Sequence, residues 1–391
     1  MLSAKSRPVI EATLPVVGEH LEEITRTFYA DLFAAHPELL DGLFSRSNQR
    51  NGAQQQALAG SIAAFATHLL AHPDSLPEAV LSRIAHKHAS LGITEDQYEV
   101  VYHYLFGAIA RVLGDAVTEE VADAWTEVYW LMADALIKIE RGLTAQQANT
   151  QPWSPWILTA RRPAGTRAVT LHFTPGDSTP PSAALPGQYV SLRVQLPGDL
   201  RQVRQYTLSD AVTEPNERRI TVKLDDAGEV SGVLHHHLAI GDVVELSNPY
   251  GDLTLDPDQT SPLILATAGI GCTPAAAALS ALAAIGSERR VIVLHSESHR
   301  HHWALEEQMR AHVDALPHAE LRLWLGDTTG SPDASASPMR FDDLDLPVDA
   351  QAYLCGPLPF MRAARSQLVD AGVAAHRISY EVFGPDLWLT N

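Results

Sequence analysis

The run Arg204-Gln205-Tyr206-Thr207-Leu208-Ser209 brings a guanidinium, a phenol and hydroxyl groups into one short stretch. In a strand, Arg204 and Tyr206 project from one pleat face, and Gln205 and Thr207 from the other. That set suits a flavin. Arg204 can clamp a phosphate oxygen in a planar fork, Tyr206 can lie against the isoalloxazine or ribityl chain, and Thr207 can hydrogen-bond near N5. The same six residues also fit an edge strand with solvated side chains, so the order of the other motifs has to decide.

Those motifs are ordered. Pro186-Gly187-Gln188-Tyr189 offers a second aromatic. Gly228-Glu229-Val230-Ser231 feeds a short helix, Gly232 to Leu238, whose N-terminus presents backbone N–H groups to a pyrophosphate. Ala268-Gly269-Ile270-Gly271-Cys272-Thr273-Pro274 follows an apolar strand. It departs from the dinucleotide fingerprint because Pro274 stands where a third glycine belongs, yet proline fits the first turn of a helix. Cys355-Gly356-Pro357 follows another strand, and Glu381-Val382-Phe383-Gly384-Pro385 comes last. Glu297, after a second strand, disfavours a 2′-phosphate and so favours NADH, while nearby Arg300 leaves NADPH open. The adjacent histidines 235–237 diverge by about 100° per residue on a helix and have no evident acidic or thiol partner, which argues against a metal site.

Near the start, His88 in Ile84-Ala85-His86-Lys87-His88 is uninformative alone, since histidines of intermediate burial are common. It gains meaning from Phe28-Tyr29, Phe44, the pair Gln54 and Leu58 at a four-residue spacing, and Tyr98 and Glu140 on later helices. Tyr29 and Gln54 among apolar neighbours make a pocket in which a bound diatomic ligand accepts hydrogen bonds.

The elements that must carry these residues show in the hydrophobic periods. Leu21, Ile24, Phe28, Leu32, then Tyr98, Val101, Leu105, Ile109, Val112, then Val121, Trp125, Val128, Met132, Leu136, Ile139 recur at helical spacing. Thr94-Glu95-Asp96-Gln97 reads as a capping box, and Thr118 caps the next helix. Six or seven helices form a bundle or a globin-like pack. Period-two runs follow at Val169, Leu171, Phe173; Val190, Leu192, Val194; Ile220, Val222, Leu224; and Val244, Leu246. They predict a small antiparallel barrel. Apolar strands at 263–267, 290–295, 321–325 and 352–354 alternate with amphipathic helices, which predicts a doubly wound parallel sheet. The chain is therefore multidomain, with divisions at 1–147, 148–258 and 259–391. Thr328 to Pro338 reads as a loop insertion.

Composition limits the role. With 28 Lys and Arg against 47 Asp and Glu, the net charge of −19 disfavours nucleic acid as a partner. Only Cys272 and Cys355 occur, and Met1 to Pro8 has no apolar signal core, so a reduced, cytoplasmic protein is expected. The uncharged stretch Gln259 to Ser287 is long enough for a membrane span, but its composition, with Pro262 and Pro274, fits strand, loop and buried helix better. No stable membrane anchor is expected, and the chain is expected to act as a self-sufficient monomer.

Pro37-Glu38-Leu39, the run from Phe44 through Ser45 and Asn51 to Gly52, and Ile84 to His88 resemble the globin domain of flavohaemoglobins. The four middle motifs resemble the FAD domain of the ferredoxin-reductase family, and the resemblance extends over nearly the whole chain. It implies an all-α globin domain, an antiparallel β-barrel FAD domain and a doubly wound α/β NAD domain, with haem b, FAD and NADH as cofactors and NADPH possible. It implies that His88 is the proximal iron ligand, with Tyr98 and Glu140 on its other nitrogen. Tyr29, Gln54 and Leu58 then line the distal side, Phe44 packs on the porphyrin, and Lys87 stands between haem and flavin. Tyr189, Arg204, Gln205, Tyr206, Thr207, Gly228, Val230 and Ser231 fall to FAD. Gly269, Gly271, Cys272, Thr273, Pro274, Cys355, Gly356 and Pro357 fall to the nicotinamide nucleotide, and Glu381 and Phe383 to the flavin ring. Two departures stand out: Thr207 where the family usually has Ser, and Cys272 where Gln is frequent. The implied activity is nitric oxide dioxygenase, converting NO and O2 to nitrate for detoxification. A flavin-based ferric or peroxide reductase and a gas-sensing or storage globin are the alternatives.

Overall fold

A computed structural model of the chain describes residues 1–41, 44, 52–198, 200–211 and 215–384. Ser45 to Asn51 of the Phe44 motif and Pro385 of the last motif lie outside the described residues. Two compact units emerge, Met1–Pro152 with Arg193–Val203, and Trp153–Leu192 with Arg204–Gly384.

The first unit is helical: α1 (Ser6–Ala35), α2 (Ala53–Ala71), α3 (Glu78–Leu91), α4 (Glu95–Leu113) and α5 (Glu119–Ala145). One apolar stripe per helix faces a common core, with Ile24, Phe28, Leu32, Phe65, Leu81, Leu105, Trp125 and Leu136 all buried. The helix starts read from sequence are present. Thr94 and Gln97 exchange capping hydrogen bonds at α4, and Thr118 Oγ1 accepts from Val121 N at α5. Each such cap is worth about 1 kcal/mol because it satisfies a donor that the helix leaves open. Gly92, left-handed at φ 71, ends α3 with its N–H on the Ala89 and His88 carbonyls.

Six strands follow the helices along the chain: β1 (Ser154–Pro163), β2 (Ala168–Pro175), β3 (Tyr189–Gln195), β4 (Arg201–Thr207), β5 (Arg218–Lys223) and β6 (Val243–Leu246). Their order is β4-β3-β6-β1-β2-β5, antiparallel at β1–β2, β1–β6 and β2–β5. The ends meet: a bridge joins Leu208 to Ile220, and Ser209 N donates to Arg219 O at 2.9 Å. That closure makes a barrel around Leu158, Leu171, Phe173, Val190, Leu192, Ile220 and Leu246. Strand β1, buried through Trp156 and Leu158, escaped the period-two reading because its register shifts between Leu158 and Ala160. A short helix, α6 (Glu229–His236), follows β5.

A second sheet completes the second unit, with β7 (Leu263–Ala268), β8 (Val291–His299), β9 (Ala319–Asp327), β10 (Ala334–Ala336), β11 (Gln351–Cys355) and β12 (Ile378–Glu381). All its pairings are parallel, in the order β10-β9-β8-β7-β11-β12. Helices α7 (Cys272–Ala284), α8 (Glu306–Ala315) and α9 (Leu358–Asp370) connect the strands. The sheet is doubly wound, and its strand order reverses between β7 and β11. The uncharged 259–287 stretch resolves into β7, a glycine turn and the buried helix α7. No helix among the described residues is long and apolar enough to cross a membrane. One expectation is corrected: Thr328–Pro338 is more than a loop, since Ala334 to Ala336 pair with β9 as an edge strand. Three short residues between turns give too little pattern to read.

Candidate functional site

In the helical unit, His88 from α3, Tyr98 from α4 and Glu140 from α5 converge. His88 Nδ1 lies 2.9 Å from both Tyr98 Oη and Glu140 Oε1, and Tyr98 donates to the same carboxylate oxygen at 2.5 Å. Hydrogen-bond inventory fixes the tautomer. The tyrosine's one proton goes to Glu140, and an ionised carboxylate only accepts, so the proton of the imidazole belongs on Nδ1. Nε2 keeps its lone pair, the form in which imidazole binds a metal. Burial and then the Glu140 charge push the Tyr98 phenol far above its ordinary range, so it stays a donor.

Tyr29, buried on α1, packs its ring against Phe33 at 5.5 Å and Phe44 at 5.9 Å. Its hydroxyl bonds the Gln54 side chain, and burial raises its pKa against the lowering effect of that bond. Leu58, one turn beyond Gln54 on α2, packs on the same core. Lys87 is half-buried beside His88.

In the barrel, β4 stands first in the sheet order and closes on β5 through the Leu208–Ile220 bridge, and Arg204, Gln205 and Tyr206 are half-buried rather than solvated, against the edge-strand reading. Burial holds the Arg204 guanidinium below its usual pKa, opposed by Tyr206, Glu229 and Asp225, and burial raises Tyr206 with Arg204 opposing. Gln205 donates to Ser191 Oγ at 3.0 Å, and Thr207 is buried. The Tyr189 ring lies on Gly251, where a Cβ would come within 3.2 Å of it. At α6, Gly228 is the N-cap, Val230 is buried, and Ser231 Oγ accepts from Asp225 N at 3.1 Å. A Cβ on Gly228 would sit 2.7 Å from Ser231 Oγ, so only glycine lets the turn close this tightly.

In the parallel sheet, the loops after β7 and β11 touch at the point of reversal. Any side chain on Gly271 would overlap the Cys355 carbonyl, and one on Gly356 would come within 3.1 Å of Ala268 N. Thr273 caps locally onto Ile270 O at 3.1 Å, Pro274 sits in the first turn of α7, and Pro357 precedes α9. Glu381 pairs with Cys355 across β11 and β12 and is buried, whereas Phe383 is half-exposed. Both cysteines are buried. Burial, followed by the Glu297 charge, pushes Cys272 up to about 12, and burial raises Cys355 well above its usual value. Cys272 Sγ donates to Ala304 O at 3.3 Å. Sequence reading missed Lys223, whose Nζ lies 3.7 Å from a Cβ position on Gly269. Nothing in a strand-terminal lysine signals that it will face a loop 46 residues on.

A helical unit with a metal-competent histidine and a reductase-type pair of sheets in one polypeptide define a two-part redox protein. Known proteins agree with this class. The globin family matches residues 26–136, and the oxidoreductase FAD-binding domain matches residues 176–255. Flavohemoprotein from Bordetella parapertussis is 39% identical over 402 residues, covering 98% of this chain and 99% of the relative. Its counterpart from Rhizobium meliloti is 36% identical, covering 99% and 100%. The crystal structure of flavohemoglobin from Malassezia yamatoensis with bound FAD and heme superposes with TM-score 0.92 at 45% identity, over 98% of this chain and 100% of that one. The FAD/NAD-binding domain of nitric oxide dioxygenase from Vibrio cholerae is 31% identical, with TM-score 0.56, over 59% of this chain and 99% of that one. The chain belongs to the flavohemoprotein family.

Proposed function

We propose that the protein is an NAD(P)H-dependent nitric oxide dioxygenase, turning NO and O2 into nitrate. The observation that carries the reading is the fixed Nδ1–H tautomer of His88, in the same chain as a nucleotide-type switch point. The residues present fit the implied groups. His88 would hold haem iron through Nε2, and the glycine turn at 269–271 with Cys355-Gly356 leaves backbone free to approach a pyrophosphate. Arg204, Tyr206 and Thr207, with Tyr189, Gln205 and the Gly228–Ser231 turn, would hold FAD; Glu381 and Phe383 belong at its ring. Cys272, Thr273, Pro274 and Pro357 complete the nucleotide loops. The same reading divides the chain at 147/148 and 258/259. When bound, haem supplies the iron centre at which O2 and NO combine, and FAD converts a two-electron hydride into single electrons.

The side chains do the rest. Tyr98 and Glu140 keep the proton on His88 Nδ1 and make the imidazole a stronger donor to iron. Tyr29, hydrogen-bonded to Gln54, would offer its hydroxyl to a bound molecule that gathers negative charge. Leu58 and Phe44 exclude water there.

Nitric oxide consumption in air with NADH, on protein loaded with haem and FAD, tests the proposal. Nitrate is expected at about two per NADH, as two single-electron reductions per hydride require. NADH oxidised without nitrate would replace it with a flavin reductase, and no turnover at all with a gas-binding globin.

A further inference from the structure

This inference rests on reading the parallel sheet as the nicotinamide-nucleotide site. In a doubly wound sheet the dinucleotide lies along the carboxyl edge, and its adenosine ribose reaches residues that follow the strand beside the first. Here that strand is β8, and Arg300 is the first residue past it. A 2′-phosphate separates NADPH from NADH, so the state of Arg300 matters.

Glu297, the carboxylate expected from sequence to exclude that phosphate, faces elsewhere. It lies inside β8 and is buried, with Oε1 accepting from Ser298 N at 2.8 Å and Oε2 3.8 Å from a Cβ position on Gly269. Arg300 is itself engaged. Its Nη1–Nη2 face meets both Asp333 oxygens at 2.7 and 3.0 Å, and its Nε–Nη2 face meets Glu306 Oε1 at 2.9 and 2.7 Å. A guanidinium has two faces that can grip a phosphate in a fork, and both are occupied. Arg310 closes the cluster, 2.9 Å from Glu306 and 2.8 Å from Asp333, with its guanidinium 5.4 Å over the Trp303 ring. Two cations meet two anions, so the cluster offers a phosphate no net charge. The Arg300 hydrogen bonds hold the Asp333 carboxyl at about 2, so it is ionised at neutral pH. Asp333 belongs to the 328–338 segment, which thereby acquires a role.

We propose that Asp333 and Glu306 set nucleotide selectivity by occupying both faces of Arg300, so that the site takes NADH and rejects the 2′-phosphate of NADPH. Both are positioning residues that act through Arg300.

Calorimetric titration of the full-length protein with adenosine 2′,5′-bisphosphate and with 5′-AMP tests this without nitric oxide, so its failure is separate from failure of the dioxygenase reading. The wild type is expected to gain no affinity from the 2′-phosphate. Asp333→Asn should favour the bisphosphate by about tenfold, as one recovered charge-assisted hydrogen bond implies, with a parallel rise in the NADPH-to-NADH ratio of kcat/KM. Adding Arg300→Ala should abolish the gain. Wild-type preference for the bisphosphate, an unchanged ratio in a folded Asp333→Asn protein, or a gain that survives Arg300→Ala would each overturn the proposal. Glu306→Gln gives a second route to the same release.

Discussion

His88 and His295 show how two imidazoles in one chain are put to different ends by their neighbours. His88 is one-third exposed, and its Nδ1 contacts put the ring proton there and leave the lone pair on Nε2. His295, on β8, is fully buried, with Nδ1 2.8 Å from Thr267 Oγ1 and its ring stacked on Trp303 at 4.6 Å. No hydrogen-bond partner meets its Nε2 among the described residues. Burial pushes its pKa down to about 3. An unfolded imidazole takes its proton at about 6.5, so below that pH the unfolded chain binds a proton that the fold refuses. The stability His295 contributes is therefore whole above pH about 6.5 and drains away as pH falls toward 3, by at most about 1.4 kcal/mol per pH unit. Thermal unfolding of the wild type and His295→Gln between pH 7 and 4 checks it. The variant's Tm should fall less steeply, and parallel curves would clear His295 of the effect. A sequence cannot separate these two histidines, because the difference lies in what surrounds each ring.

Elements that repeat a period were legible, and those that depend on partners were not. Helices α1, α4 and α5 and strands β2, β3 and β5 follow from apolar spacing, and β7 from an unbroken apolar run that is buried on both faces. Strand β12 has only four residues, Ile378–Glu381, and exists because β11 offers it an open edge. The glycine turn lies between these cases. Its two glycines were visible, but the reason Gly271 must be glycine is the Cys355 carbonyl, 84 residues away in sequence. Gly271→Ala should force the β7 and β11 loops apart, costing about 1–3 kcal/mol of stability and raising the KM for NADH. Gly142→Ala is the contrast: a helical site with nothing near its Cβ position, where alanine should stabilise by about 0.5–1 kcal/mol. Calorimetry with NADH kinetics on both variants separates a packing effect from a general one.

Taken whole, the chain is two compact units, and that division has a functional consequence. The histidine and its partners lie in one, while the glycine turn, Cys355 and Glu381 lie in the other. Replacing His88 with Ala should abolish nitric oxide consumption while NADH-driven reduction of ferricyanide continues; loss of both would mean that the reductase part depends on the haem part. Sequence alone determined the architecture, the order of the motifs and the identity of most candidate residues, because periodic burial and the residue types of short motifs are written locally in the chain. Tertiary structure alone decided which nitrogen of His88 carries the proton, that Glu297 turns inward to the glycine loop, and that Arg300 is claimed by Glu306 and Asp333. Each of those outcomes depends on distances of about 3 Å between groups far apart in the chain, the range over which hydrogen bonds and ion pairs act, and spacing along a sequence does not encode such distances.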